Sequence, residues 1–548
     1  MSAVRLPSAA DFAGTRRLTR LALRRDRGTL AAWWTGLGLF VMATSAMFGN
    51  DLARHEELVR ETRMVATNVG MRLLGISSGP SVGGYMLHRE FVTLSALAAL
   101  MSTFAVIRHT RQNEELGRAE VIGSAVVGRY AELTAAVVTA VLADVVLALV
   151  LAIAMAVAGL PVAGAALAGA SIGAVGLVWV GIAALTCQLS STTRGAAGIA
   201  AGALGVAFVL SGIGNMVGTV DRAGTTVTSA WPAWLSPMGW GQQTRPFGDA
   251  HWWPLLLAVG ALAVLVLLAA ALASRRDVGR GLWPERRGHA HAGRLLLSPV
   301  GLAWRLQRGA FLGWATGMAM FGLIFGNLTE QIQDVEGQAK DFWVETGGTD
   351  VVVEAYRVSI IQMAAMFVAG YVVQVLLRMR VDEDGGTLES VLAAGVTRTG
   401  WLWGHVVNAA VGSAALVVVF AVSMGLTAGQ VLGDTGTQVA ELVGAGLVQV
   451  PGILVVGAVV VLAVAVLPRW AVSLSWAVMM GSLVVGPMFG PGLNVPTWAQ
   501  DLSPFTHSPK APAVEVTAAP LIGLVAACLV VGLAAWFVLR HRNLALPA

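Results

Sequence analysis

The sequence RHTRQNEELGRAE, residues 108–120, is a charged segment between two long apolar runs. A segment of similar pattern, RMRVDEDGGTLE, residues 378–389, lies between two other apolar runs. We call residues 108–129 the first island and residues 378–398 the second island. Equivalent residues of the two islands are 269 positions apart, as in Gly117 and Gly386, Glu120 and Glu389, and Arg129 and Arg398. This constant register indicates a chain built from two repeats.

The composition around the islands is that of a membrane protein. The chain has 548 residues, of which 56% are hydrophobic and 12% charged, and its mean hydropathy is +0.72. A soluble protein carries about 25% charged residues. Apolar runs of about 20 residues, the length that crosses a bilayer as a helix, recur along the whole chain. No polar stretch between them is long enough for a soluble catalytic domain.

The apolar runs form two sets of six. The sequence therefore predicts an all-α integral membrane protein of about 12 transmembrane helices in two six-helix halves. The predicted spans are residues 30–48, 91–107, 133–159, 165–189, 195–217 and 253–273 in the first half, and 310–325, 358–377, 403–426, 442–467, 470–488 and 521–539 in the second.

Most of the 36 lysines and arginines fall on one side of these spans, the side of the islands and both termini. The positive-inside rule places that side in the cytoplasm. Because each half has an even number of spans, both halves have the same orientation, which predicts a parallel repeat. The same rule accounts for the pI near 9.7, so we expect no nucleic-acid partner.

The order of the segments predicts five parts of the chain. Basic and apolar residues interleave before the first span, which favours an amphipathic helix on the cytoplasmic surface. The parts are this helix at residues 1–29, the first half at 30–274, a basic cytoplasmic linker with a second interfacial helix at 275–308, the second half at 309–540, and a cytoplasmic tail at 541–548.

Each island is predicted to form a short amphipathic helix at the membrane surface. Gly117 and Gly386 permit a sharp entry, and Gly128 and Gly395 an exit. Acidic residues lie at or before the first turn, where negative charge suits the helix dipole. They are Glu114, Glu115 and Glu120 in the first island and Glu383, Asp384 and Glu389 in the second. A solvated loop is the alternative, but one register in two diverged halves favours a surface that docks basic groups of a partner.

The islands also carry a family resemblance, together with the loop sequences WLSPMGWGQQTRPFGDAHWWP and LSPFTHSPKAP. They resemble the coupling-helix region of ABC-2 type transporter permeases, between the second and third spans of each half. The whole chain resembles the fused, double-length tetronasin-type permeases of actinobacteria that export polyketide antibiotics. The resemblance implies type V exporter-like halves in the bacterial cytoplasmic membrane and efflux of hydrophobic or amphipathic drugs. It also implies two copies of a separate ABC ATPase, which bind ATP and Mg and dock on the islands, including Arg129 and Arg398.

A Walker A loop requires Gly-Lys-Ser or Gly-Lys-Thr. The only lysines, Lys340 and Lys510, follow Ala339 and Pro509. The chain therefore cannot hold a standard ATP-binding loop, and we expect a transport subunit that is not catalytic by itself and has no cofactor of its own. Its nine histidines lack metal-ligand spacing, which predicts no metal site.

Residues within the spans supply further candidates. Asp144 in the third span either contacts substrate or protons or bonds to a neighbouring hydroxyl; its equivalent position is Ser413. Trp33, Trp34 and Trp314 either line a substrate path or anchor the membrane interface. Asp144 is the main support for an alternative function, a proton-coupled multidrug antiporter. A non-transporting membrane scaffold is a third possibility.

Overall fold

Helices account for nearly all of the secondary structure in this computed structural model, which describes residues 8–51, 55–277, 279–283, 291–332, 344, 347–349, 351–487 and 495–542. Ten helices among these residues are long and apolar enough to cross a membrane. The prediction of an all-α integral membrane protein is confirmed. The chain divides into two units, residues 1–287 and 288–548.

The first unit contains eleven described α-helices, two short 3-10 helices (Ala9–Phe12 and Trp231–Leu235) and one short hairpin. The helices are α1 (Thr15–Asp51), α2 (His55–Thr67), α3 (Val69–Arg72), α4 (Val82–His109), α5 (Arg111–Glu115), α6 (Arg118–Gly123), α7 (Ala131–Val157), α8 (Val162–Leu189), α9 (Thr193–Met216), α10 (Pro237–Gln242) and α11 (Pro254–Ala273). The antiparallel strands β1 (Thr219–Val220) and β2 (Val227–Thr228) form the hairpin.

The second unit repeats much of this order. Its described helices are α12 (Pro299–Asn327), α13 (Thr329–Ile332), α14 (Val352–Leu376), α15 (Arg378–Asp384), α16 (Thr387–Ala393), α17 (Arg398–Leu432), α18 (Thr435–Leu447), α19 (Val450–Val466), α20 (Ala471–Val485), α21 (Thr497–Gln500) and α22 (Ala518–His541).

Long apolar runs become helices because a bilayer offers no water to bond exposed peptide groups. The helix starts follow from local chemistry. The hydroxyl of Thr192 accepts a hydrogen bond of 3.0 Å from the N–H of Gly195, the third residue of α9. The hydroxyl of Thr397 accepts one of 3.0 Å from the N–H of Gly400, the third residue of α17. Pro254 and Pro299 occupy the first position of α11 and α12, where their lack of an N–H is harmless.

Each unit packs around central helices. In the first unit α4 and α8 are the most buried spans, and in the second unit α14 is. Small residues allow the closest approaches. A Cβ added to Gly169 of α8 would lie 2.3 Å from the carbonyl oxygen of Ala148 in α7, and one on Gly326 of α12 would lie 2.3 Å from that of Met424 in α17.

The structure differs from the predicted segments in several places. The basic N-terminal segment is not a separate surface helix, because α1 contains no proline and continues from residue 15 through the first predicted span. Likewise α12 continues residues 299–308 of the predicted linker into the seventh span. The second span begins at Val82, before the predicted residue 91. The tenth span is interrupted near Pro451, between α18 and α19.

Candidate functional site

Each island forms two short helices that turn at a left-handed glycine. In the first island, Gly117 separates α5 from α6 and has φ of 68°. In the second island, Gly386 separates α15 from α16 and has φ of 69°. Glycine adopts this conformation without the penalty that a side chain adds. The two islands therefore share one backbone geometry at the predicted entry positions.

The two exits differ. Gly395 has φ of 85°, as expected for a glycine that ends a helix. Gly128 instead lies against the N-terminal segment, where an added Cβ would be 2.3 Å from the carbonyl oxygen of Asp11. The N–H of Gly128 donates to the carbonyl of Ala13 at 2.9 Å. Gly128 is therefore needed for close backbone approach, and unlike Gly395 it does not have a positive φ.

One acid of the first island points into the protein. Glu114 accepts hydrogen bonds from both terminal nitrogens of Arg276, at 2.5 and 2.9 Å, and one of 3.0 Å from the N–H of Gly279. Arg111 donates a further bond of 2.7 Å to the same carboxylate. The Nε of Arg276 reaches Oε1 of Gln188, in the last turn of α8, at 2.6 Å. Only 8% of the Glu114 side chain is exposed.

The second island repeats this arrangement. Glu383 accepts two hydrogen bonds from Nη2 of Arg542, at 2.8 and 2.7 Å. Nη1 of Arg542 donates to the carbonyl of Val464 in the last turn of α19, at 3.1 Å. Arg380 approaches Glu383 at 3.6 Å. Only 1% of the Glu383 side chain is exposed.

We call Glu114 and Glu383 the inner acids and name each set of contacts after them. The first clamp joins Glu114 to Arg276, and the second clamp joins Glu383 to Arg542. In each unit the arginine follows the last membrane helix, α11 or α22. Glu114 and Glu383 were predicted to be exposed docking acids, and burial of their carboxylates against arginine of the same unit corrects that prediction.

Arg129 and Arg398 reinforce the same junction. Arg129 donates to the carbonyl of Ser274, which caps α11, at 2.5 Å. Arg398 donates to the carbonyl of Arg542, which caps α22, at 2.7 Å. The last carbonyls of a helix have no partner within it, and cationic side chains suit that end. Both arginines therefore connect the exit of their island to the end of the sixth membrane helix of the unit, α11 or α22.

Other acids of the islands face outward. Glu120 of α6 and Glu389 of α16 are exposed, and neither forms an ion pair within the described ranges. We call them the outer acids. Glu115 is exposed but accepts bonds from the N–H and hydroxyl of Thr193 at the start of α9. Asp384 is 56% exposed and pairs with Arg380 at 2.5 Å.

A polar contact that was not predicted from the sequence joins α1 to the first island. Asp26 lies 2.9 Å from Nη1 of Arg108 and 2.7 Å from Nε2 of His109. Burial by itself raises the pKa of Asp26, but the hydrogen bonds from His109 and Arg108 outweigh it and leave this pKa below its usual value. The indication of this contact in the sequence was an acidic residue, Asp26, among the N-terminal arginines.

Asp144 lies within helix packing. Its two carboxyl oxygens are 2.9 and 2.8 Å from the hydroxyl of Ser102 in α4, and the residue is fully buried. A Cβ added to Gly176 of α8 would be 2.4 Å from Oδ1 of Asp144. Asp144 thus joins three helices of the first unit.

The tryptophans proposed for a substrate path also lie in helix contacts. The indole N–H of Trp34 donates to the carbonyl of Ala143 in α7 at 3.1 Å. That of Trp314 donates to Oε1 of Gln374 in α14 at 2.7 Å. Trp33 packs, partly buried, against the core of the first unit. These contacts brace the first helix of each unit.

An apolar cavity of about 470 Å³ opens among α14, α17, α19 and α22. Leu402, Trp403, Leu454, Leu529 and Trp536 are among the residues that line it. Pockets of about 300–1,000 Å³ hold drug-sized molecules. Asp144, Trp33, Trp34 and Trp314 do not line this cavity.

Known proteins match the chain over nearly its whole length. A family model described as "Multidrug efflux system permease Rv1217c, C-terminal domain" matches residues 16–275 and 296–540. The chain is also 34% identical over 527 residues to the multidrug efflux system permease protein Rv1217c of Mycobacterium tuberculosis (strain ATCC 25618 / H37Rv), an alignment that covers 94% of this chain and 93% of that relative. With its apolar helices and repeated islands, this chain belongs to the family of multidrug efflux system permeases.

Proposed function

We propose that this chain is the membrane-spanning permease of an ATP-driven ABC-2 type multidrug exporter. Two copies of a separate ATPase dock on the two islands at the cytoplasmic face of the bacterial cell membrane, where both termini also lie. The ATPase subunits bind ATP and Mg and hydrolyse the nucleotide. Drug then leaves the cell through the permease by alternating access.

The observation that carries this proposal is the repeated geometry of the islands. Gly117 and Gly386 turn the backbone with nearly the same φ, and each turn leads into a short helix that exposes one outer acid. An exposed carboxylate at the start of a short helix offers a defined partner for a basic group. Two equivalent surfaces on one chain suit two copies of one partner.

The name of the relative supports drug efflux, and the apolar cavity supports hydrophobic substrates. The cavity walls are aliphatic and aromatic, with Thr399 and Cys528 among the few residues that bring a polar atom. Such walls recognise apolar surface and shape. Hydrophobic or amphipathic drugs and antibiotics are the chemical class that fits.

The antiporter alternative depends on Asp144. This residue is enclosed by α4, α7 and α8 and bonds to Ser102, whereas a proton carrier needs access to water from each side in turn. The duplicated islands have no role in a proton-driven mechanism. The geometry therefore favours ATP-driven export.

The test is reversal of the outer acids, Glu120→Lys and Glu389→Lys, in a chain purified with its cognate ATPase. Glu515→Lys reverses an exposed acid outside the islands and is the control. We expect the double variant to lose ATPase copurification and ATP-dependent drug uptake into inverted vesicles, while the control keeps both. A double variant that keeps its ATPase and its transport would refute docking through these acids, and transport driven by a proton gradient without ATP would support the antiporter.

A further inference from the structure

Arg276 and Arg542 have no counterpart in the register that relates the islands, yet both occupy the same place in the fold. We propose that they are positioning residues of the export machinery. Each arginine binds the inner acid of its island, so that a movement of the island also moves the sixth membrane helix of the same unit, α11 or α22. This inference rests on the proposed docking of ATPase subunits at the islands.

The contacts have the geometry of a firm connection. Each arginine gives the inner acid two hydrogen bonds of 2.9 Å or less. Charge-assisted pairs of this kind are short, directional and stronger than neutral hydrogen bonds. The paired side chains are at most 14% exposed, so solvent screens them weakly. A docked partner that moves the island therefore also moves the guanidinium bound to it.

Each arginine lies at or just after the end of a helix that is mostly exposed along its membrane length. In α11 and in α22, only 11% of the most apolar window is buried. Both helices pack chiefly on the fourth membrane helix of their unit, α8 or α19. The clamp and the bond from Arg129 or Arg398 therefore supply much of the polar attachment at the island end of these helices.

The clamps also include the end of the fourth helix. Arg276 bonds to Gln188 and Arg542 to the carbonyl of Val464. Each arginine thus lies where the island, the fourth helix and the sixth helix meet. In the second unit, α19 and α22 line the apolar cavity together with α14 and α17. A movement of the second island would therefore also move α19 and α22, which form two walls of the cavity.

The first test measures positioning without the ATPase. Arg542→Gln removes the charge from the second clamp, and Arg540→Gln is the matched control, because Arg540 stacks on Trp536 and is exposed. In the purified full-length chain we expect hydrogen exchange of residues 378–393 to quicken at least tenfold in Arg542→Gln, with no change in the control. Equal exchange in the two variants would overturn the inference and leave the docking proposal standing.

The second test measures coupling in proteoliposomes that contain the permease and its cognate ATPase. Arg542→Gln should keep ATPase binding, because both outer acids remain, but should transport several-fold less drug per ATP hydrolysed. The double variant Glu383→Arg with Arg542→Glu exchanges the two charges and should restore much of the drug transported per ATP hydrolysed. A wild-type ratio in Arg542→Gln, or no recovery in the exchanged pair, would count against the clamp as a coupling element. Failure of the wild-type chain to bind its ATPase would instead refute the proposed function.

Discussion

Substitution of Gly117 by alanine tests the left-handed turn that gives the first island its shape. Gly117 has φ of 68°, and an added Cβ would meet no atom within 4 Å. The change therefore adds a conformational penalty and no clash. That penalty is about 1–2 kcal/mol for a residue other than glycine. It corresponds to a roughly 5- to 30-fold rise in local opening.

Hydrogen exchange of residues 111–123 in the purified chain measures this opening. Gly123→Ala is the control, because Gly123 ends α6, lies outside the left-handed region and also has open space around it. Alanine favours helix over glycine by up to about 1 kcal/mol, so the control should exchange at the wild-type rate or more slowly. Gly117→Asn should fall between wild type and Gly117→Ala, since asparagine tolerates this conformation better. Equal exchange in the two alanine variants would refute the argument from backbone conformation.

Other contacts give predictions of their own. Arg542→Gln should destabilise the chain by about 3–5 kcal/mol, as expected when one partner of a buried pair is removed. Arg276→Gln should cost less, because Arg111 stays 2.7 Å from Glu114 whereas Arg380 is 3.6 Å from Glu383; thermal unfolding of the two variants decides the order. Because the pKa of Asp26 is lowered, its stabilising effect is present at neutral pH and disappears as pH falls through that pKa, below about 4. Asp26→Asn should therefore flatten the loss of stability below about pH 4, and an unchanged pH profile there would contradict the assignment. Ser102→Ala should cost about 1–3 kcal/mol by removing a partner of Asp144. Asp144→Asn should preserve ATP-driven export at a normal expression level. Loss of export in this variant would favour the alternative function, a proton-coupled antiporter.

The membrane helices were predictable because their signal is local. Apolar runs bounded by proline, glycine and charge identified spans that coincide with described helices such as α7, α8 and α11. The turns at Gly117 and Gly386 were predictable for the same reason. A position in the left-handed conformation is usually occupied by glycine, and a glycine beside charged residues can be recognised in the sequence. The continuity of α1 was not predictable, because the basic composition of its first half suggested a separate surface segment, although α1 contains no proline.

The clamps were not predicted because they are tertiary contacts between distant parts of each unit. Glu114 lies 162 residues from Arg276, and Glu383 lies 159 residues from Arg542. The two arginines are 266 positions apart, so a search at the island spacing of 269 does not pair them. A cation directly after the sixth apolar run of each half was the only local signal. Charge alone also could not separate the inner acids from the outer acids. The inner acids lie on α5 and α15, which contain several buried residues, whereas the outer acids lie on α6 and α16, whose residues are mostly exposed.

The exits of the two islands are held by different contacts. In the first unit the backbone of residues 128–130 bonds to Ala13 and Asp11, and the ring of Tyr130 lies 5.8 Å from that of Phe12. In the second unit the equivalent residue, Thr399, bonds to the indole of Trp536. The glycine turn and the clamp are common to both units, whereas the two exits differ. Under the proposed docking, two copies of one ATPase would therefore meet islands that are alike at the glycine turn and different at the exit.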